Sequence, residues 1–360
     1  MKVLLVHSPY ALAGGEERMV DTQERVLTQR GHDVVRHDGT DAGPLVARVR
    51  PDLVHVHNQF PALRPSVYAA AHSARVPVVQ HLHNARLACV QPFLVRDGRA
   101  CDDCVGRAPW PGALHRCYRD SATLSLAATA LQVTYRRWWR RVDRFVAVSD
   151  ALATTMRRSG AIGSDRLVVC HNGLATDVTP RASGLDAGYA LYVGRLSYEK
   201  GVDLLLDAAR AIDMRVVIAG DGPERDALTR AAPGNVEFLG HVARPELDDV
   251  IARARVVVAP SRGQEPFGLG VIEAAALGVP AVVTDVGGLP ELVRDGATGV
   301  VVAPFDAAAL AAGLQRFRDA GAAQALGAAA RHAYEQRFTP DAFAGRLLAI
   351  YADVLGTYAP

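Results

Sequence analysis

The chain has 360 residues, of which 49% are apolar and 22% charged, and its formal net charge is +2. This length favours two domains of ordinary size, and the composition excludes a disordered, collagen-like or low-complexity chain. A net charge this close to zero excludes a positive electrostatic field over the whole molecule that would attract nucleic acid. Affinity for any polyanion therefore has to come from a local patch. No stretch approaches the roughly 20 apolar residues of a membrane span, and we expect a cytoplasmic protein.

The first half of the chain alternates short apolar runs with segments long enough for helices. Strands are predicted at residues 3–7, 53–57, 76–83 and 145–148. A Gly-Gly turn and a helical pattern ending at Gly31 follow the first strand. Such alternation predicts a parallel sheet, and we assign residues 1–175 to a first Rossmann-like domain.

The apolar pattern lapses near residue 174, and we place a linker at residues 176–188. The alternation then restarts, with strands predicted at residues 190–193, 215–219, 236–239, 256–259, 281–284 and 299–302. A second doubly wound domain is therefore expected over residues 189–340. An amphipathic helix follows Pro340 over residues 341–360, and it can pack on either domain, including a return to the first.

Three histidines stand at the ends of predicted strands in the first domain: His7, His57 and His83. Ligands of parallel α/β sheets bind beyond the carboxyl ends of strands, so these side chains predict a polar floor of a site. The alternative is a set of buried histidines with satisfied hydrogen bonds. The turn at Gly14 and Gly15 offers helix-start amides to an anion. No G-x-G-x-x-G fingerprint occurs, which argues against hydride transfer.

One loop in the second domain carries two cations. It reads GRLSYEKG from Gly194 to Gly201 and includes Arg195 and Lys200. Only Lys2 and Lys200 are lysines among the 40 basic residues, and a compact ammonium can suit a phosphate clamp better than a planar guanidinium. Chance is the alternative explanation of this lysine. We predict that the loop clamps a diphosphate.

Two carboxylates flank a glycine-rich helix start later in the chain. Glu265 and Glu273 enclose the seven residues PFGLGVI, in which the predicted helix begins. Amides from Gly268 to Gly270 can bind phosphate there, and Glu273 can accept two vicinal hydroxyls of a ribose. The alternative is a helix capped by surface glutamates.

These residues resemble the retaining glycosyltransferases of family four, which have the GT-B fold. The resemblance covers nearly the whole chain, and the E-x7-E pattern of Glu265 and Glu273 is its most specific mark. It also includes the segments Gly194-Arg195, Glu199-Lys200-Gly201, Gly220-Asp221-Gly222-Pro223-Glu224-Arg225, Phe238-Leu239-Gly240, Gly287-Gly288, Pro290-Glu291, Gly14-Gly15 and His83-Asn84. The implied fold has two doubly wound Rossmann-like domains that face each other across a cleft, the first on the acceptor side and the second binding a nucleotide sugar.

The resemblance also implies roles for individual residues. Arg195 and Lys200 hold the diphosphate, Glu265 contacts hydroxyls of the transferred sugar, His83 faces the reacting sugar, and Glu273 binds the ribose. The other donor-binding positions are Gly194, Phe267, Gly268, Leu269, Gly270, Gly220 and Gly240. On the acceptor and phosphate side the resemblance implies Gly14, Gly15 and Asn84.

The reaction implied by the resemblance moves a sugar from a nucleotide-diphosphate sugar to the hydroxyl of an unidentified acceptor, with retention of configuration and without a metal cofactor. Cell-envelope polysaccharide and secondary-metabolite biosynthesis fit equally. Two other classes stay open. One is a nucleotide-sugar-binding protein without turnover on the same fold, and the other is a zinc-organised interaction protein, which only a cysteine cluster supports.

That cluster comprises Cys89, Cys101, Cys104 and Cys117, spaced C-x11-C-x2-C-x12-C. The spacing suits tetrahedral zinc, and a subset of family-four enzymes resembles this stretch. We predict a structural zinc site, with reduced thiols or disulfides as the alternatives.

A second local feature is the basic and aromatic run Arg136-Arg137-Trp138-Trp139-Arg140-Arg141. It predicts a peripheral contact with the inner face of an anionic membrane or with a lipid-linked acceptor. The alternative is a helix whose tryptophans pack on the domain and whose arginines are solvated.

Overall fold

The computed structural model of the chain describes residues 1–8, 14–57, 64–175, 188–244 and 246–358. Within them the strands are β1 (Lys2–His7), β2 (Asp33–Asp38), β3 (Leu53–Val56), β4 (Val78–Leu82), β5 (Val95–Arg96), β6 (Arg99–Ala100), β7 (Arg144–Ala147), β8 (Leu167–Val169), β9 (Tyr189–Val193), β10 (Arg215–Ala219), β11 (Val236–Gly240), β12 (Val256–Ala259), β13 (Ala281–Thr284) and β14 (Gly299–Val302).

The helices are α1 (Gly15–Thr28), α2 (Gly43–Val49), α3 (Ser66–Ala74), α4 (Trp110–Leu114), α5 (Ala122–Trp139), α6 (Asp150–Ser159), α7 (Val202–Ala209), α8 (Arg225–Ala231), α9 (Glu246–Arg253), α10 (Leu269–Ala276), α11 (Ala307–Gln315), α12 (Ala320–Arg337) and α13 (Pro340–Gly356). Among these described helices, none has both the length and the apolar composition that a bilayer crossing needs.

The chain divides into two compact units. Unit 1 comprises Met1–Arg96, Cys101–Ala175 and Pro340–Pro360, and unit 2 comprises Asp97–Ala100 and Thr176–Thr339. Helix α13 therefore belongs to unit 1, where it packs against α1. Most of the predicted linker at residues 176–188 lies outside the described residues.

Each unit contains a six-stranded parallel sheet. The strand order is β2-β1-β3-β4-β7-β8 in unit 1 and β11-β10-β9-β12-β13-β14 in unit 2. The order reverses beside β1 in the first sheet and beside β9 in the second, and such switch points open a crevice at the carboxyl ends of the strands. The prediction of an α/β chain with two doubly wound, Rossmann-like halves is confirmed.

The central strands are apolar because both of their faces are buried. In β9, Ala190 and Tyr192 point into one core cluster of unit 2, whereas Tyr189 and Leu191 point into another. The apolar runs of the sequence predicted most of these strands. Strand β2 was missed because it is an edge strand with half-buried side chains, which produces no apolar run.

Candidate active site

The two cations and the first carboxylate of unit 2 lie around the switch point of its sheet. Arg195 and Lys200 follow β9, and Glu265 follows the neighbouring strand β12. Lys200 Nζ donates to Glu265 Oε2 at 2.5 Å, and Ser261 Oγ donates to the same oxygen at 3.1 Å. The structure thus brings Lys200 and Glu265, which are far apart in sequence, into direct contact.

Three glycines occur where β9, β10 and β11 end. The Gly194 N–H donates to the carbonyl of Ala219 at 3.1 Å, and the Gly220 N–H donates to that of Gly240 at 2.8 Å. A Cβ at Gly220 would lie only 1.8 Å from the Gly194 carbonyl oxygen. The close approach of these backbones therefore explains the glycine at position 220. Arg195 is exposed, and its carbonyl accepts a hydrogen bond from the Tyr192 hydroxyl at 2.7 Å.

Helix α10 begins without a side-chain cap. Gly268 precedes the helix with φ of 106°, and Leu269 and Gly270 form its first turn. No side chain accepts from the first amides of this helix at the cap position, so these amides can meet an anion. The Phe267 side chain, in contrast, is buried edge-to-face against Phe338, so only its backbone can serve a ligand.

Glu273 is buried on α10, with 2% of its side chain exposed. Its Oε1 lies 2.6 Å from Nη2 of Arg244, which also pairs with Asp248. A buried carboxylate needs such a partner, because desolvation of an unpaired charge is costly. Sequence reasoning missed Arg244. The signal that could have found it is its position in the loop after β11, at the edge of the sheet where ligands bind.

The three strand-end histidines of unit 1 lie at the carboxyl ends of β1, β3 and β4. The rings of His7 and His57 have centroids 6.4 Å apart, and those of His57 and His83 are nearly parallel with centroids 5.0 Å apart. Two further histidines, His55 and His81, lie two residues earlier on the same faces of β3 and β4 and stack on His57. Sequence reasoning missed both, although H-x-H occurs twice and residues two apart share one face of a strand.

Burial keeps four of these imidazoles neutral. Desolvation lowers the pKa of His55, His57 and His83 well below the ordinary 6.5, and neighbouring imidazoles lower it further. Desolvation also lowers the pKa of His81 to about 3. A neutral imidazole has one N–H donor and one acceptor nitrogen, so each ring has a definite direction in a hydrogen-bond chain.

His55, His57 and His81 have ring nitrogens within 4.8 Å of one another, which raises the question of a metal site. Their ring planes differ by only 17° to 33°. Imidazole lone pairs lie in the ring plane, so three nearly parallel rings cannot supply the non-coplanar directions of a tetrahedral metal site. Both nitrogens of His57 are also hydrogen-bonded. The three residues do not fit a metal centre.

The acceptor-side residues predicted from the sequence lie near these histidines in the chain. Gly15 begins α1, and the N–H of Gly14 donates to Glu17 Oε2 at 2.7 Å. The Asn84 side chain accepts from the amide of Arg86 at 3.0 Å in the turn after β4. Oε1 of Glu16 lies 3.4 Å from Nε2 of His7, and burial raises the pKa of the Glu16 carboxyl.

All five cysteines lie within the described residues, and no disulfide links them. A hydrogen bond between the thiols of Cys89 and Cys104 raises the pKa of Cys89 and lowers that of Cys104 to about 7. Among the described side chains, no group of three metal-binding atoms within 4.8 Å of one another includes Cys101, Cys117 or the other cysteines. The cluster is therefore not gathered as a tetrahedral zinc site would require.

The basic and aromatic run forms the end of α5. Trp139 is buried, whereas the guanidinium groups of Arg137 and Arg141 lie 5.0 and 4.9 Å from the ring centre of Trp138. Arg166 donates to the carbonyls of Trp139, Arg140 and Val142 at this helix end. Packing of Trp139 on unit 1 agrees with the second of the two sequence interpretations.

Two family models match the chain. The one described as Glycosyltransferase Family 4 matches residues 39–178, and the one described as Glycosyl transferases group 1 matches residues 187–319. A phosphatidyl-myo-inositol mannosyltransferase of Mycobacterium tuberculosis is 32% identical over 267 residues, which are 69% of this chain and 69% of that protein. The chain belongs to glycosyltransferase family 4.

This family 4 chain is also 33% identical over 313 residues to a glycogen synthase of Mycobacterium tuberculosis. The match covers 81% of this chain and 65% of the synthase, which is less than two thirds of that protein's length. Among solved structures, Anabaena HepE in complex with UDP has a TM-score of 0.70 and 21% identity, covering 98% of this chain and 100% of that one. At that identity the likeness shows the GT-B fold alone.

Proposed function

We propose that this family 4 chain is a retaining glycosyltransferase that moves a sugar from a nucleotide-diphosphate sugar to an acceptor hydroxyl. The observation that carries the proposal is the contact of Lys200 with Glu265 beside the uncapped start of α10. A cation, a carboxylate and a helix start without a side-chain cap at one switch point suit a ligand with both phosphates and hydroxyls. The HepE structures, which contain UDP or UDP-glucose, support a nucleotide-sugar donor.

The proposed reaction breaks the bond between the anomeric carbon and the phosphate oxygen, and the electron pair stays with the nucleoside diphosphate. The acceptor oxygen bonds to the same face of the anomeric carbon, and its proton passes to the leaving phosphate oxygen. Negative charge therefore grows on the phosphate. Arg195, Lys200 and the first amides of α10 would stabilise that charge, so the chain's own groups can replace a bridging metal ion.

The remaining roles follow from the same assignment. Glu273, paired with Arg244, would accept the ribose hydroxyls, and Glu265 would turn from Lys200 to the hydroxyls of the transferred sugar. Glycines 194, 220, 240, 268 and 270 would let the donor approach the backbone. In unit 1, His83, Asn84 and the turn at Gly14 and Gly15 would serve the reacting sugar and the acceptor.

A panel of nucleoside diphosphates and nucleotide sugars tests the donor. The tightest binder should raise the melting temperature most, because a ligand that binds only the folded state stabilises it. NMR of the transfer product with that donor should show the anomeric configuration of the donor. An inverted product would refute retention. Binding without transfer to any of a range of acceptors would favour the non-catalytic alternative.

We also propose that unit 1 contacts an anionic membrane surface. Five large apolar side chains of α4 and α5 are exposed: Trp110, Leu114, Leu124, Leu126 and Val133. The surrounding residues 107–141 are strongly basic, with Asp120 as the one acidic residue against Arg107, Arg116, Arg119, Arg136, Arg137, Arg140 and Arg141. Apolar and arginine side chains exposed on the same helix face, as Leu126, Val133 and Arg137 are on α5, are typical of interfacial helices. The positive charge of these arginines would repel the same surface on a second copy of the chain.

Vesicle sedimentation tests this surface. The chain should bind vesicles that contain phosphatidylglycerol and not vesicles of phosphatidylcholine alone. Leu126→Ser combined with Val133→Ser should weaken that binding by at least about tenfold, because two exposed apolar side chains are lost from the interface. Leu239→Ser, at an exposed leucine of unit 2, is the matched control. Equal binding to both vesicle types would contradict the proposal.

A structural zinc ion at the four cysteines stays a prediction, and binding would require movement of side chains from the arrangement described above. Elemental analysis of the purified chain, compared with the variant Cys101→Ser combined with Cys104→Ser, tests it. One zinc per chain that the variant lacks is the expected result. A purified chain that contains no zinc and is as stable as the double cysteine variant would refute the prediction.

A further inference from the structure

A hydrogen-bond chain runs through the core of unit 1 and ends at His83. Gln23 of α1 donates from Nε2 to the hydroxyl of Tyr351 on α13 at 2.7 Å, and that hydroxyl lies 2.7 Å from Nδ1 of His55. The Gln23 Oε1 lies 2.8 Å from Nε2 of His57. His57 Nδ1 lies 2.7 Å from Nε2 of His83. His83 is the partly exposed member, whereas the other four are buried.

The positions of the protons follow from the chemistry of each group. Gln23 Oε1 can only accept, so His57 Nε2 carries a proton and donates it. His57 is neutral because burial lowers its pKa, and its Nδ1 is therefore a lone-pair acceptor. That acceptor requires a proton on His83 Nε2. Since burial also keeps His83 neutral, its Nδ1 has no proton and can accept a hydrogen bond.

We propose that Gln23, whose amide donates to Tyr351, is a positioning residue that holds His83 as its Nε2–H tautomer. The Nδ1 lone pair of His83 is then directed to accept a hydrogen bond from a hydroxyl of the sugar donor. This last step rests on the proposed function, whereas the tautomer itself does not. Neither Gln23 nor Tyr351 is assigned any contact with substrate, and both act through His57.

The orientation of the Gln23 amide decides the direction of the whole chain. Tyr351 accepts from the Gln23 amide and donates to His55 Nδ1, so its one proton and one of its lone pairs are both used. If the amide were turned over, every donor in the chain would become an acceptor. His83 would then carry its proton on Nδ1 and could no longer accept from a hydroxyl.

NMR of histidine ¹⁵N shifts in the full chain at pH 7.5 tests the assignment, with His83→Ala identifying the signals. We expect a pyrrole-type Nε2 and a pyridine-type Nδ1 at His83. Gln23→Met removes the acceptor for His57, and Tyr351→Phe removes the hydroxyl that accepts from the Gln23 amide. Each variant should produce a mixture of His83 tautomers.

Tyr68→Phe is the matched control, because Tyr68 is a buried tyrosine of unit 1 whose hydroxyl donates to Gln80 and not to this chain. It should leave the His83 signals unchanged. An Nδ1–H tautomer in the wild type, or a fixed tautomer in both Gln23→Met and Tyr351→Phe, would overturn the proposal. Having two variants covers the case in which one does not fold.

Activity provides the second readout, and it separates this inference from the proposed function. With an active donor, Gln23→Met and Tyr351→Phe should each lower kcat/KM by roughly three- to tenfold, the effect of one weakened hydrogen bond. A donor that lacks the contacted hydroxyl should show no such loss. Failure of every donor would refute the proposed function and leave the tautomer result standing.

Discussion

Lys200 and Glu265 form an ion pair, yet the proposed reaction gives each a different part of the donor to contact. Their contact at 2.5 Å places both groups within reach of one ligand. Both side chains are only partly exposed, so the pair is screened less than a surface ion pair. The ammonium of Lys200 is therefore the group to test.

Lys200→Ala should lower turnover by roughly two to four orders of magnitude if the ammonium meets developing phosphate charge. The matched control is Lys2→Ala, since Lys2 is the only other lysine and contacts Asp33 at the edge of unit 1. Steady-state kinetics with the donor identified by the binding panel measures the effect. Near-normal turnover of Lys200→Ala would remove this residue from the mechanism.

Glu273→Ala should weaken binding of the free nucleoside diphosphate by roughly ten- to a hundredfold, the range for losing hydrogen bonds to a charged group. The change also leaves Arg244 without its buried partner, so the melting temperature is recorded beside the affinity. Glu237→Ala, at a partly exposed glutamate of β11, is the control. An unchanged affinity measured by calorimetry would contradict the ribose assignment.

At the scale of single residues, the sequence predicted the residues that follow strands. It missed the side chains that contact them. His7, His57 and His83 could be found because strand ends converge at one edge of a parallel sheet. Tyr351 could not, since no local spacing relates it to a histidine almost 300 positions earlier, and no spacing pairs Arg244 with Glu273. Such pairings depend on how distant elements pack.

At the scale of elements, loops after strands hold the site. The Gly287-Gly288 turn is an example, because the N–H of Gly288 donates to the carbonyl of Glu265 at 2.8 Å. A Cβ at Gly287 would lie 2.1 Å from the same oxygen, and its φ is +57°. Only a glycine at position 287 permits this close approach. The turn therefore holds the backbone of Glu265 in place.

Gly287→Ala tests that dependence, with Gly296→Ala as the matched control. Gly296 also has a positive φ, of +69°, but a Cβ there meets nothing within 4 Å. The control should lose about 1 kcal/mol of unfolding free energy from backbone strain. Gly287→Ala should lose a further 1 to 3 kcal/mol, roughly, from crowding, and turnover should also fall. Equal losses in urea denaturation would show that the close approach is unimportant.

Strand predictions succeeded where both faces of a strand are covered, because burial on both faces produces an unbroken apolar run. The predicted strand at residues 76–83 is shorter in the structure, where it spans Val78–Leu82 after Pro77, which has no N–H to donate. Edge strand β2 has no such run, so its residues carry no comparable signal.

At the scale of the molecule, the buried histidines tie stability to pH. A histidine that is neutral when folded binds fewer protons than the unfolded chain below pH 6.5. Its contribution is therefore complete above pH 6.5 and is lost as the pH falls toward the folded pKa. For His81, whose folded pKa is about 3, the loss between pH 6.5 and 5 is about 2 kcal/mol.

His81→Gln should therefore flatten the decline of unfolding free energy between pH 7.5 and 5.5. The removed group no longer takes up a proton on unfolding. Urea denaturation at several pH values, followed by a probe in unit 1, measures the slope. His72→Gln, at an exposed histidine of α3, should keep the wild-type slope, and parallel curves for all three proteins would refute the prediction.

The sequence predicted two doubly wound halves, because β/α alternation occurs twice on either side of a lapse in the apolar pattern. It left open where the last helix packs. The amphipathic pattern of α13 predicts that one face of the helix is covered, but it does not predict which domain covers it. The contact of Tyr351 with Gln23 resolves this for the structure, at a separation of 328 residues.

The return of α13 has a consequence for biosynthesis. A ribosome makes the chain from the amino end, so unit 2, which ends at Thr339, is complete before Tyr351 exists. During that interval unit 1 lacks a helix, and Gln23 and His55 lack the hydroxyl between them. Unit 1 of the nascent chain thus exposes to water and to chaperones polar groups that are buried in the folded protein. It can reach its final packing only after the later unit has been synthesised.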